Sequence, residues 1–461
     1  MIKNILMVSS SDFPSNSSVH VHHFANELVK AGFDCVVAVP CDKNSVNSLK
    51  GNLYNVTQYN EIELIQTLFN NCEPPDLVHA WTPREDVRIF CNDLSSRYEF
   101  KLVVHLEDNE EAIIKRFFDL QLKEFSAQNE HLVPHNFSHP RRYQEFLHTA
   151  DGVTVIIDKL KDFVPNSIPK ITLFPGVDHT QFYPRDRNLE LAASLNIPDN
   201  VTVLCYTGNA HIANQEDVKG LYLAVGQRNL EGKPTILVRT GVDANLQLLR
   251  PDEMWVKKYC VELGWVSREQ IPTILSLADI LVQPGEPDEF NDYRFPSKIP
   301  EFLALGKPII IPNTNIAHHL QHLENALILH SVDRESLPKA IDLLVDNRDL
   351  AQKIAKKGLE FALDNLNWTK NTKKLISFYQ SLFTPEQELS SVINVLKRMK
   401  FHFAEYQDTK TKELKEKNQE LDTLRDIRQK VEDLEAEITW MKTSKFWKFR
   451  RILLSFKNSV R

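Results

Sequence analysis

Between Phe295 and Ile311 the chain reads FPSKIPEFLALGKPIII, residues whose types and spacing suit the capture of an anion. Ser297 is placed to cap a helix, and Pro300 falls in the first turn, where a missing backbone N–H removes no helical hydrogen bond. Unpaired N–H groups and the positive end of the helix dipole favour a phosphate at such a start, and Lys298 adds a full charge. Glu301, one turn further in, suits a pair of sugar hydroxyls. Gly306 predicts the helix end, and Ile309 to Ile311 predicts a strand covered on both faces. A nucleotide-phosphate site is one reading of the segment; an ordinary helix-to-strand connection is the other.

The elements that would position these groups alternate strand and helix. Asn4 to Val8, Val19 to Lys30 and Cys35 to Val39 predict an opening βαβ unit, hence a parallel sheet. Buried strands follow at Leu77 to Ala80, Leu102 to Leu106 and Val153 to Ile157, and a first domain spans 1–168. A second series, with strands near Val201 to Tyr206, Thr235 to Arg239, Ile280 to Gln283, Ile309 to Ile311 and Ala326 to Leu329, places a second domain at 169–384. At 461 residues the chain exceeds one ordinary core. The six cysteines (Cys35, Cys41, Cys72, Cys91, Cys205 and Cys260) form no Cys-x-x-Cys, so neither a disulfide framework nor a zinc ribbon is indicated. A reducing cytoplasm fits that usage, and no apolar run reaches the length of a membrane span.

Four ordered stretches resemble motifs of the GT-B glycosyltransferases, in the retaining family 4 type. They are FPSKIPEFLALGKP; Leu173 to Phe182 (LFPGVDHTQF), without the family's Asn before Gly176; Tyr206-Thr207-Gly208 followed by Lys219-Gly220; and Leu263 to Ala278. The resemblance covers most of residues 1 to 380. It implies an α/β protein of two Rossmann-like domains facing a cleft, with the last helix crossing back to the first domain near Asn367-Trp368. The implied activity is transfer of a sugar from a nucleotide-sugar, with retention and without a metal, to a glycan, lipid-linked or protein acceptor; the donor is a co-substrate and no cofactor is implied. On the family pattern His105, Lys219 and Lys298 are the catalytic candidates. Gly208, Asn209, Lys219, Arg294, Ser297, Lys298 and Glu301 are the donor-binding candidates. Two departures stand out: Asn209 occupies the place of an Arg, for which His211 or Arg294 would substitute, and Tyr293 that of a first Glu, for which Asp292 or Glu289 would substitute.

The first loop lacks the family's Gly-Gly; Ser17, Ser18 and His20 offer hydroxyl, N–H and imidazole groups instead. His20, His22 and His23, and His318 with His322, lack a third ligand at metal spacing, and neither Asp-x-Asp nor G-x-G-x-x-G occurs. Beyond Pro385 the region 385–461 predicts a helical extension. Leu424, Ile427, Val431, Leu434, Ile438 and Met441 alternate steps of three and four, a coiled-coil seam, with Leu414 and Leu421 out of phase with it. Self-association through 414–441 is the expectation, and a single solvated helix packed on its own body is the rival. Net charge is −7, but Lys442 to Arg461 holds seven basic residues and no acidic one, so the remainder carries −14. That acidic body argues against nucleic-acid binding, while the basic tail, with Phe446, Phe449, Leu453 and Phe456 at helical spacing, predicts either an anionic membrane at the cytoplasmic face or a partner-binding helix that extends the coiled coil. Two rival functions stay open: a catalytically weak scaffold acting through its coiled coil, and a sugar-nucleotide epimerase or hydrolase using the same cleft.

Overall fold

The computed structural model describes residues 2–118, 133–211, 214–243, 247–443 and 448–451. Residues 1–398 form one compact unit and 399–461 a second. In the first unit, β1 (Asn4–Ser9), β2 (Asp34–Val39), β3 (Asn55–Gln58), β4 (Leu77–Trp81), β5 (Lys101–Leu106), β6 (Gly152–Val155) and β7 (Lys170–Thr172) make one sheet in the order β3-β2-β1-β4-β5-β6-β7. Then β8 (Thr202–Thr207), β9 (Thr235–Thr240), β10 (Cys260–Glu262), β11 (Ile280–Val282), β12 (Ile309–Pro312) and β13 (Leu327–Leu329) make another, ordered β10-β9-β8-β11-β12-β13. Every pairing is parallel. This is the α/β, two-Rossmann architecture predicted from the sequence.

Burial explains why the strands read as continuous apolar runs. Every residue of β1 and β5 is buried, as parallel strands covered by helices on both faces require. The first sheet runs past residue 168, because β7 pairs with β6, Val153 opposite Lys170. Its segment Lys-Ile-Thr is a half-buried edge with no apolar run to mark it.

The helix Trp368–Ser381 returns to the first domain, capped by Asn367, whose Oδ1 accepts from the Lys370 N–H at 3.0 Å. Leu375, Phe378 and Tyr379 join the core formed by Ile5, Met7 and Phe24. Gly152 is required there: a Cβ would lie 2.7 Å from the Phe378 ring.

The helix Pro385–Thr443 follows without a break. A domain start at 385 is displaced in the structure, because the first turns of this helix belong to the compact unit. Arg398, fully buried, donates to Ser95 Oγ (3.0 Å), the Thr149 carbonyl (2.7 Å) and the Phe100 carbonyl (3.1 Å). Arg398→Ala strips donors from two carbonyls and removes the cation 3.8 Å from Asp151, which keeps the Leu102 N–H and Asn394 Nδ2 as donors, and is expected to cost about 3 kcal/mol in denaturant unfolding. A change below about 0.5 kcal/mol, typical of a surface site, would show that this anchor does not hold the helix.

Candidate functional site

A cleft of about 620 Å³ opens between the two sheets of the first unit. Its walls come from the carboxyl ends of parallel strands: Glu107 and Asp108 after β5, Gly208 and Asn209 after β8, Gly241 after β9, Gln283 after β11. Strand order reverses between β1 and β4 and between β8 and β11, where helix N-termini diverge and leave such a crevice.

On the second-domain wall, Lys298 lies against Gly208. A Cβ at Gly208 would stand 2.7 Å from its Nζ, which also sits 5.0 Å from the centroid of the Tyr206 ring. Gly208 has φ +149° and Gly241 φ +99°, and a Cβ on Gly241 would come within 2.4 Å of the Gly208 carbonyl. Backbone therefore forms this part of the cleft. The helix begins one residue later than predicted, at Ile299–Ala304, with Lys298 at the cap position. Ser297 makes no cap bond; it lines the cleft as an exposed hydroxyl, while the Ile299 N–H closes a turn onto the Pro296 carbonyl at 3.0 Å.

Glu301 also lines the cleft, its Oε1 accepting from Arg268 Nη2 at 3.0 Å. Burial raises its pKa against the opposing pull of Arg268 and Lys298. Arg294 lines the cleft with its guanidinium 4.6 Å from the Phe290 ring centroid, and its Nε is buried with no hydrogen-bond partner. Burial lowers its pKa, opposed by Tyr206, Asp108 and Asp217. Asn209 is spent on the loop: its Oδ1 accepts from the Val242 N–H at 2.9 Å and its carbonyl accepts from Asn214 Nδ2 at 3.1 Å.

Lys219, expected at the donor, lies elsewhere. It sits one turn inside the helix Gln215–Leu230, away from the cleft lining, and its ammonium pairs with Glu253 at 3.3 Å. The residues expected to replace the first glutamate are also elsewhere. Tyr293 packs on Phe163 (5.2 Å between centroids) beneath the Lys159 ammonium, Asp292 pairs with Lys159, and Glu289 pairs with Lys115 at 3.5 Å. This loop is committed to the first domain, leaving Phe290 and Arg294 to face the cleft.

The first-domain wall centres on Glu107, which the sequence reading passed over. It accepts from Ser17, from Trp81 Nε1 at 2.8 Å and pairs with His20 Nδ1 at 2.9 Å. Burial alone would raise its pKa, but His20, His105 and Ser17 overcome that and hold it at about 2. Ser17 and His20 thus line the cleft. Ser18 does not: it is buried, donating to the Ser15 carbonyl and accepting from the Ser15 N–H in the capping box of the helix Asn16–Lys30.

His105 lies under the wall rather than in it. Its ring stacks on Trp81 at 3.9 Å, Nδ1 bonds Thr154 Oγ1 at 2.7 Å, and burial lowers its pKa to about 3. A neutral imidazole there supplies no cation to the cleft. The other histidines of the first helix diverge, His22 onto Tyr54 and His23 onto Trp368. Among the described residues no group of three His, Cys, Asp or Glu could hold a metal ion. Arg268 and Trp265 complete the lining; both lie in the stretch Leu263 to Ala278 that resembles a family motif, but the resemblance assigned neither side chain a role.

Residues 201–347 match the family described as "Glycosyl transferases group 1". No curated protein matches the sequence. Among solved structures the chain is similar to Anabaena Alr3699/HepE, crystallised in complex with UDP, at TM-score 0.64 and 14% identity over 82% of this chain and 100% of that one. It is similar also to a glycosyltransferase from Rickettsia africae, at TM-score 0.62 and 14% identity over 83% and 99% of the two chains. A third is WaaG, a glycosyltransferase involved in lipopolysaccharide biosynthesis, at TM-score 0.55 and 14% identity over 80% and 98%. The fold is GT-B.

Asp108 gives the cleft a pH dependence. Burial, with Glu110 and Glu107 beside it, raises its carboxyl to about 7 against Arg84 and Arg294. It is therefore neutral below that pH and adds a negative charge above it. Affinity for inorganic pyrophosphate, taken as the ratio of wild type to Asp108→Asn so that ligand ionisation cancels, is expected to fall roughly tenfold as pH rises through about 7. Calorimetric titration checks this, and a ratio that stays level would show that the charge is not felt in the cleft.

Proposed function

We propose that this GT-B chain, with its Glycosyl transferases group 1 domain over 201–347, transfers a sugar from a nucleotide-sugar to a glycan or lipid-linked acceptor with retention of configuration and without a metal. The carrying observation is that Lys298, the guanidinium of Arg294 with its buried Nε, and Glu301 meet in one cleft at the carboxyl ends of the strands. As the anomeric bond breaks, negative charge grows on the departing diphosphate. Lys298 and Arg294 lie where fixed positive charge stabilises it. In this reading Arg294 takes the part of the absent Arg at 209. Glu301, oriented by Arg268, receives the ribose hydroxyls. The leaving diphosphate accepts the proton of the acceptor hydroxyl on the same face, so no protein base is required. The first domain receives the acceptor beside Ser17, His20 and Asp108. The complex of the Anabaena structure with UDP supports a uridine nucleotide as the first donor base to try.

We read the working location as the cytoplasmic face of a membrane, met through the basic tail 442–461. Phe446, Leu453 and Phe456 lie outside the described residues; Phe449 is 66% exposed. Among the described residues no helix is long and apolar enough to cross a membrane. Deleting 442–461 should release the protein from anionic vesicles in a flotation assay, and undiminished binding would remove the tail from the proposal.

Incubating the purified chain with a panel of nucleotide-sugars and candidate acceptors, and measuring free nucleotide, tests the reaction. Lys298→Ala is expected to lower kcat by about 10²–10³. Glu301→Ala should chiefly raise KM, and Lys219→Ala should leave both near wild type. Nucleotide binding without turnover in any mixture would favour the scaffold, and turnover that needs no acceptor would favour the epimerase or hydrolase.

A further inference from the structure

Beyond Arg398 the long helix carries an apolar stripe. Leu424 is 64% exposed, Ile427 52%, Val431 48%, Leu434 57% and Ile438 48%. In heptad terms Leu424, Val431 and Ile438 occupy a, and Ile427, Leu434 and Met441 occupy d. The preceding a and d positions are Lys417 and Glu420, so the seam starts at Leu424.

The flanking charges identify what covers it. Positions g are Lys430 and Glu437; positions e are Arg428, Glu435 and Lys442. In a parallel pair each g residue meets the e residue five positions on in the other strand. In register that places Lys430 against Glu435 and Glu437 against Lys442, opposite signs in each case and each repeated across the two-fold axis. A slip of one heptad places Lys430 against Arg428 and Glu437 against Glu435 from one strand, and Lys430 against Lys442 from the other, all of like sign. The pattern is complementary to itself in one parallel register and repels the neighbouring ones. β-Branched Val431 and Ile438 at a, with Leu434 at d between them, favour two strands, against Leu424 and Ile427 at the start of the seam, whose reversed order favours more.

We propose that residues 424–442 form a parallel, in-register, two-stranded coiled coil with a second copy of this chain. The inference rests on the helix alone and is independent of the reading of the cleft. Antiparallel pairing would set Lys430 against Glu437 and Arg428 against Glu435, so charge reversal separates the two arrangements.

The test uses the full chain in sedimentation equilibrium. Wild type is expected at twice the chain mass, and Val431→Asp with Ile438→Asp at the mass of one chain. Glu435→Lys should weaken the dimer roughly tenfold, since each contact at the two-fold turns from attraction to repulsion. Adding Lys430→Glu should restore it in the parallel arrangement and weaken it further in the antiparallel one. Independently, Leu424→Cys should give a disulfide-linked pair on mild oxidation. The wild-type chain, whose Cys41 and Cys72 are already exposed, is the control. A wild-type monomer, a dimer indifferent to Val431→Asp with Ile438→Asp, or a double charge reversal weaker than the single one would each overturn the proposal.

Discussion

The cleft depends on the return of the helix Trp368–Ser381 to the first domain. Two chain segments join the domains, one through Pro175-Gly176-Val177 and one through Leu366 to Trp368, and they lie against each other. The Val177 N–H donates to the Leu366 carbonyl at 3.0 Å, and a Cβ on Gly176 would lie 2.5 Å from the Trp368 nitrogen. Only glycine permits that approach. The indole of Trp368 then packs on His23, 4.5 Å between centroids, and reaches the cleft. The hinge and the wall of the site share a side chain.

Behind that wall runs a line of buried polar contacts. The Tyr379 hydroxyl bonds His79 Nδ1 at 2.7 Å, His79 Nε2 bonds Thr154 Oγ1 at 3.0 Å, and Thr154 Oγ1 bonds His105 Nδ1 at 2.7 Å. Burial keeps both imidazoles neutral, lowering each pKa. With Tyr379 donating, His79 carries its proton on Nε2, and Thr154 passes its own to His105. The line fixes the crossover helix, β4, β6 and β5 relative to one another, and Trp81 stacked on His105 transmits that position to Glu107. Such networks specify one arrangement because a half-satisfied member is costly.

Fully buried strands were legible because their apolar runs are continuous; β1, β2, β4, β5, β8, β9 and β12 all announce themselves that way. The short edge strands β3, β7 and β10 did not, since edges of three or four half-exposed residues such as Asn-Val-Thr-Gln have no such run. In the site, Lys298, Gly208 and Glu301 were readable because backbone approach and helix position fix their types. Lys219 was misleading: the Lys-Gly pair resembles a motif, but the helix starts four residues earlier and turns the lysine toward Glu253. Glu107 was invisible because its three partners are 26 to 90 residues away in the chain.

The loop that carries Tyr293 works as a clasp. Its ties to the first domain are Tyr293 on Phe163 beneath the Lys159 ammonium, Lys159 with Asp292, Lys115 with Glu289, and Asn109 Nδ2 donating to the Glu289 carbonyl at 3.3 Å. Lys115 and Glu289 are exposed, and a pair of this kind contributes little, whereas Asp292 is largely withdrawn from solvent. Where the family pattern has a glutamate turned to the ligand, this chain spends the position on holding its two halves together, and salt would screen only the outer pair of that clasp.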